Sequence, residues 1–247
     1  TDESSNITNE PFPVTDIDTD DGAGINTYNN INNNNFDITY NDDEYGHITD
    51  NLDGTYTFSH DGDFENLTGG TVHEISFDFT ANDFDGGSSE ETRVTINVTG
   101  INDNPEAYDD GVTTDEDNPY SGDVPDATDI DTDNVGDGST DYNNVNPNGY
   151  VLVSQTGITG GELTWDPSGD GTYTFDPNGD FEYLAVEAST SVSFQYRASD
   201  LDGGVSSSKT ITITIDGVND NPVATPDTQT TDESSNITNE PFPVTDI

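Results

Sequence analysis

Positive charge is nearly missing from this chain: Arg93, Arg197 and Lys209 stand against 52 acidic side chains, for a formal net charge of −49 over 247 residues. Polyanionic partners are excluded, because phosphate backbones and anionic membrane surfaces recruit lysine and arginine. Charge of one sign at this density pushes a compact state apart unless cations or salt neutralise it, which points to a saline habitat. Cysteine is absent as well. That excludes disulfides, so any stapling comes from metal ions or packing. No apolar run approaches the ~20 residues of a membrane-spanning helix and no signal peptide is visible, so the sequence reads as an internal piece of a longer polypeptide. Helical periodicity is missing throughout. Hydrophobic residues are only 28% of the chain, which at this net charge would suit a disordered polypeptide.

Against disorder stand 11 tyrosines and 11 phenylalanines set in alternating runs. Ile75, Phe77, Phe79 and Ala81 alternate with Ser76, Asp78 and Thr80, and Val94, Ile96 and Val98 with Thr95 and Asn97. Val192, Phe194, Tyr196 and Ala198, then Ile211, Ile213 and Ile215, repeat the pattern. A period of two puts one face of a strand on a core and the other in water. Turn dipeptides Asp53-Gly54 and Asp61-Gly62 bracket Thr55 to Phe58, as Asp170-Gly171 and Asn178-Gly179 bracket Thr172 to Phe175. Short strands at this density predict all-β, immunoglobulin-like Greek-key sandwiches in a linear array. The Asn-rich stretch Asn26 to Asn35 is expected to be a surface loop. His47, His60 and His73 have no counterparts in the second half and are expected on the surface, whereas Trp165 is expected in a core.

Two connectors organise the rest. Ile101-Asn102-Asp103-Asn104-Pro105 and Val218-Asn219-Asp220-Asn221-Pro222 each follow a strand-like run, Arg93 to Val98 and Thr210 to Ile215. Proline cannot donate to a sheet ladder and biases the residue before it toward extended backbone, so the strand stops there. Thr1 to Ile17 recurs letter for letter at Thr231 to Ile247, and Thr1-Asp2-Glu3 matches Thr114-Asp115-Glu116. The expected plan is a first repeat over 1–105, a second over 106–222 and the start of a third over 223–247.

The chemistry lies in acidic motifs that recur at matching places. Asp16-Ile-Asp18-Thr-Asp20 pairs with Asp129-Ile-Asp131-Thr-Asp133, and Asp83-Phe-Asp85-Gly-Gly with Asp200-Leu-Asp202-Gly-Gly. Asp63-Phe-Glu65 pairs with Asp180-Phe-Glu182, and Glu3, Glu116 and Glu233 complete the set. Alternate residues of an extended segment project the same way, so Asp-x-Asp sets two carboxylates side by side. Crowded carboxylates raise each other's pKa, and a divalent cation reverses that penalty. With the amide and carboxylate oxygens of the connectors, these groups form the donor set of Ca²⁺, which takes six to eight oxygens. An EF-hand loop from Asp16 fails, because its sixth position is Asp21 rather than glycine and its twelfth is Thr27 rather than glutamate. Any one such motif alone reads as a solvated acidic loop; their joint recurrence with the connector points to calcium.

Three stretches, Tyr173 to Leu184, Phe194 to Gly204 and Thr212 to Pro222, carry a family resemblance, and the first half echoes each more loosely. The chain resembles bacterial cadherin-like repeats of the kind found in VCBS-containing and RTX-type surface adhesins. The resemblance implies calcium held at joints between repeats. One joint would use Glu3, Asp63 and Glu65, then Asn102, Asp103 and Asn104, then Asp129, Asp131 and Asp200. Asp16, Asp18 and Asp83 would serve a preceding joint, with Asp20, Asp85, Asp133 and Asp202 as further carboxylates of the same motifs. Glu116, Asp180, Glu182, Asn219, Asp220 and Asn221 would serve the following joint, with Asp246 from the third repeat. In the Asp-x-Glu motifs the central Phe64 and Phe181 are expected in the core.

The resulting expectation is a calcium-rigidified repeat of a long extracellular filament or adhesin stalk. Its partners would be neighbouring repeats of the same chain and sister chains in a fibre, without nucleic acid and without membrane insertion. A carbohydrate- or protein-binding adhesin module is the alternative reading, and a self-assembling fibre subunit is another. Catalysis is not expected: glycoside hydrolysis needs two carboxyls with separated pKa values in a cleft, and nothing singles out two from 52.

Overall fold

Alternation of apolar and polar residues sets the strands, and prolines and Asx–Gly turns end them. The computed structural model describes residues 1–16, 31–40, 45–132, 143–238 and 240–245, and no helix occurs among them. They fall into two units. Unit 1 comprises 1–105, 128–145 and 200–204, and unit 2 comprises 106–127, 146–199 and 205–247.

Unit 1 holds β1 (Ile7–Pro11), β2 (Ile31–Tyr40), β3 (His47–Asp50), β4 (Thr55–Ser59), β5 (Val72–Asp83) and β6 (Thr92–Thr99). They form two antiparallel sheets, β1-β4-β3 and β2-β5-β6. The long β5 buries every second residue, Ile75, Phe77, Phe79 and Ala81, as its sequence period requires. Phe12, just beyond β1, is 5% exposed. Its ring stacks on Phe36 at 4.2 Å and lies 5.1 Å from Phe79 and 5.3 Å from Tyr56. Before β1 the chain touches the other sheet: Asp2 makes a parallel bridge to Thr99, with the Glu3 N–H donating to the Thr99 carbonyl at 3.1 Å. The first strand is thus divided between the two sheets, and Glu3 sits where it crosses over.

Two expectations change here. Ile31 to Asn35 belong to β2 rather than to a loop, with Ile31 opposite Asp83 and buried; a register shift follows before Phe36 meets Ala81. Pairing with β5 outweighs the poor strand propensity of asparagine. Residues 26–30 lie outside the described ones. His73 is not a surface residue: its ring lies 4.9 Å from Tyr45 and 5.6 Å from Phe64, and its Nε2 is buried.

Unit 2 holds β7 (Asp110–Asp115), β8 (Tyr120–Asp123), β9 (Val151–Gly157), β10 (Glu162–Trp165), β11 (Thr172–Asp176), β12 (Ser189–Arg197), β13 (Lys209–Asp216), β14 (Val223–Ala224) and β15 (Val244–Thr245). One sheet is β10-β11-β8 and the other β7-β13-β12-β9, with β14 and β15 paired separately. The divided first strand recurs. β7 runs parallel to β13 from Asp110 opposite Ile211 to Asp115 opposite Asp216, and β8 then pairs antiparallel with β11. Tyr173, Phe175, Phe194, Tyr196, Ile211, Ile213 and Ile215 fill the core, each at most 1% exposed. Trp165 is half-buried at the end of β10, edge-on to Phe194.

Candidate metal centre

Glu3 emerges from its crossover beside the end of β6, where the Ile101 N–H donates to its carboxylate. In the connector that follows, the Asn102 amide donates to the Asp103 carbonyl at 2.9 Å. Three further stretches of unit 1 meet this corner. In the first, Asp129 and Asp131 are buried while Ile130 between them is 49% exposed, so the Asp-x-Asp spacing does place two carboxylates on one side. The Asp131 N–H donates to Asp129 Oδ1 at 3.0 Å, and the Asp103 N–H donates to Asp131 Oδ2 at 2.9 Å.

The second stretch is the Asp200 loop. Asp200 Oδ1 accepts the N–H groups of Asp202, Gly203 and Gly204 at 2.9, 2.6 and 2.8 Å, and its Oδ2 accepts from the Asn102 amide at 3.0 Å. Gly203 has φ +101°, and a Cβ on Gly204 would collide with Asp200 Oδ2, Asn102 Nδ2 and Asn104 Oδ1. The two glycines are what lets the Asp200 carboxylate and both connector amides crowd one spot. The third stretch is Glu65, close enough to Glu3 to disfavour its charge.

The electrostatics of this corner are unfavourable without a counter-charge. Burial pushes Glu3 up to about 7, with the charges of Asp103, Asp131 and Glu65 adding to it. Asp131 is raised to about 6 by burial and by Asp129, Asp103 and Asp200, and Asp129 is raised by burial and by Asp200 and Asp103. Glu3, Asp129, Asp131 and Asp200 are each no more than 7% exposed. Four buried oxygens have no hydrogen-bond partner: Glu3 Oε2, Asn102 Oδ1, Asp129 Oδ2 and Asp131 Oδ1. An unpaired buried polar atom costs ~1–3 kcal/mol, and more when charged. Buried oxygens from four side chains, all acceptors, fit a hard cation.

Unit 2 repeats half of this arrangement. Glu116 is 1% exposed, its Oε1 accepts the Val218 N–H at 2.8 Å, and its Oε2 has no partner. The Asn219 amide caps the Asp220 carbonyl at 2.9 Å, as Asn102 caps Asp103, and Asn221 is exposed. Among the described residues, Asp117, Glu182 and Asp220 are the carboxylates that bring three oxygens within 4.8 Å of one another.

The first aspartate of each Asp-x-Glu motif accepts a backbone hydrogen bond from a glycine. Asp63 Oδ2 accepts the Gly46 N–H at 2.7 Å and Asp180 Oδ2 accepts the Gly161 N–H at 2.8 Å, while Phe64 and Phe181 are core residues. Asp83 repeats the Asp200 loop, its Oδ1 accepting from Asp85 and Gly87 at 2.8 and 2.7 Å, and with Asp16 it lines a cavity of about 380 Å³. Asp202 is exposed, and its Oδ2 accepts from the amide of Asn144 at 2.8 Å. Asn144 itself is 1% exposed, a buried polar residue that no motif marks. Asp18, Asp20, Asp133 and Asp246 lie outside the described residues.

No curated protein matches the chain. Solved structures similar to it include the human desmocollin-1 ectodomain (18% identity, TM-score 0.38), over 76% of this chain and 34% of that one. Drosophila N-cadherin EC1-3 is similar at 17% identity and TM-score 0.31, over 74% and 56%. Chicken VE-cadherin EC1-2 is similar at 17% identity and TM-score 0.33, over 80% and 88%. The chain thus spans about a third to just over half the length of the first two structures named. The fold is all-β and cadherin-like, with residues 102–217 matching the family model of a bacterial cadherin-like domain.

Proposed function

We propose that this chain is a calcium-stiffened structural repeat of a long extracellular filament or adhesin stalk. One observation carries the reading: Glu3, Asn102, Asp129 and Asp131 turn buried, unpartnered oxygens into one corner of unit 1. Glu65, Asp103, Asn104 and Asp200 complete the donor set that would hold Ca²⁺. The ion would neutralise the clustered carboxylates and satisfy the orphaned oxygens, so the corner orders only when it is bound. The repeats would run over 1–105, 106–222 and from 223 onward, so that the ligands of one corner come from the first repeat, the connector and the second repeat. Calcium would then convert a swinging connector into a fixed one.

The cadherin-like match over 102–217 supports an extracellular adhesion or structural role, and the charge of −49 argues against nucleic-acid or membrane partners. Small-angle scattering and thermal melting of residues 1–247, in calcium and after chelation, test the proposal. A long rigid particle and a large rise in Tm, both lost on chelation, are the expected result. If neither shape nor stability responds to calcium, the reading is wrong and binding by a domain face takes its place.

A further inference from the structure

The units differ at one strand end that the acidic motifs leave untouched. In unit 1, β3 ends at Asp50 opposite Tyr56, and residues 51–54 lead to β4. In unit 2, β10 ends at Trp165 opposite Tyr173, and the longer stretch 166–171 leads to β11. The shorter loop folds on itself, its Asn51 amide donating to the hydroxyls of Thr55 and Thr57 at 2.9 and 3.1 Å. The longer loop is held against the chain before β9 instead, where the Tyr150 N–H donates to the Gly169 carbonyl at 2.9 Å. Gly169 has φ +82°, and a Cβ there would collide with the Asn148 carbonyl oxygen, so glycine is what lets the loop lie so close.

Between this loop and β9 lies a groove of about 400 Å³, within the roughly 300–1,000 Å³ of small-molecule sites. Asn148, Tyr150, Leu152, Trp165, Asp166 and Ser168 line it. Its walls are set in advance: the buried Tyr150 accepts the Ala127 N–H on its hydroxyl at 2.9 Å, and Trp165 packs edge-on to Phe194. Asp166 Oδ1 accepts the Ser168 N–H at 2.8 Å. Three polar groups remain: among the described residues, the Trp165 indole N–H, the Asn148 side-chain amide and the other Asp166 oxygen have no hydrogen-bond partner. Residues 143–161 carry no charge in a chain with 52 acidic side chains, so Asp166 is the one charged group in the lining.

We infer that this groove binds a neutral saccharide, one sugar ring lying on the Trp165 indole with its hydroxyls bonded to Asn148 and Asp166. An indole joins a broad apolar face to a donor at its rim, and a pyranose joins an apolar C–H face to a rim of hydroxyls. An amide and a carboxylate together donate to and accept from those hydroxyls. An anionic sugar is repelled by Asp166 and by the net charge of −49. Unit 1 has Asp50 where unit 2 has Trp165, so unit 1 lacks the stacking surface. None of these residues belongs to the calcium donor set, and the inference stands apart from that reading.

Trp165 is the one tryptophan of the chain, so tryptophan fluorescence of residues 1–247 reports on this groove alone. The test titrates the chain with neutral trisaccharides of glucose, galactose, mannose and N-acetylglucosamine, and with trigalacturonate as the anionic probe. At least one neutral trisaccharide is expected to shift the emission saturably, and trigalacturonate to leave it unchanged. Asn148→Ala and Asp166→Asn, which keep the tryptophan, are each expected to weaken that binding by about three- to tenfold. Trp165→Phe, followed by calorimetry, is expected to weaken it by about tenfold or more. Circular dichroism checks that each variant keeps its strands. If no neutral trisaccharide shifts the emission, if trigalacturonate alone does, or if Asn148→Ala and Asp166→Asn both bind like the parent, the inference is wrong.

Discussion

The same letters appear twice in this molecule with opposite fates. In unit 1, Thr1 to Pro13 docks: Glu3 is 3% exposed, Phe12 is 5% exposed within a cluster of aromatic rings, and Ile7–Pro11 is a strand of a three-stranded sheet. In the copy from Thr231, Glu233 is exposed, Phe242 is 91% exposed and, among the described residues, β15 pairs only with β14. The first copy packs against strands that follow it in sequence, β4 among them. What buries Glu3 and raises its pKa is the end of β6, the connector and residues 128–131, none of which the second copy has within the described chain. The burial and raised pKa of Glu3 come from its surroundings rather than from the motif itself.

Each residue of the first copy therefore has a built-in control in the second. The largest difference is expected from Phe12→Ala, which should cost about 3–5 kcal/mol by denaturant unfolding of unit 1, while Phe242→Ala stays within about 0.5 kcal/mol. Equal effects would mean that the second copy is packed after all. Next comes calcium: saturating the unit 1 corner at about 100 times its Kd adds roughly 2.7 kcal/mol, or about 10–20 °C in Tm. Glu3→Gln should remove at least half of that rise, and Glu233→Gln none of it.

A smaller effect is expected from pH in chelator. The folded state raises Glu3 from its ordinary 4.5 to about 7 and Asp131 from 3.8 to about 6, so the fold prefers both in the neutral form. Stability from these groups is complete below about pH 4 and is lost as pH climbs to about 7, so Tm should fall across that window as roughly 1–3 kcal/mol of stability is lost. Calcium, which binds the ionised form, should flatten or reverse the slope. Glu3→Gln should shrink the slope and Glu233→Gln should leave it intact. The smallest effect has an unusual sign: Asp131→Asn in chelator should raise stability by about 1 kcal/mol or less, read as a slightly higher Tm, because the amide oxygen still accepts the Asp103 N–H while a buried charge disappears.

The strands of this fold were largely written in the sequence. β5, β6, β12 and β13 alternate along their length, and Asx–Gly turns with prolines end the strands between them, so local chemistry agrees with global packing. Asp129 and Asp131 were legible for the same reason, as two carboxylates one period apart. The hydrogen bonds that Asp63 and Asp180 accept from Gly46 and Gly161 were not legible, because those glycines lie in loops whose approach no spacing predicts. The β2 segment was hidden by its asparagines, and only its register against β5 makes it a strand. His73 was hidden because burial beside Tyr45 and Phe64 is a tertiary fact. Asp117 stands next to Glu116 in the sequence, but its closeness to Glu182 and Asp220 is a tertiary fact.

The divided first strand has a consequence under load. In unit 2, β7 enters the fold parallel to β13, which leaves it, with partners from Asp110 opposite Ile211 to Asp115 opposite Asp216. Pulling the chain by its two ends slides these strands lengthwise, so their hydrogen bonds are strained together rather than unzipped one at a time. In unit 1 the bridge of Asp2 to Thr99 runs in the same parallel sense.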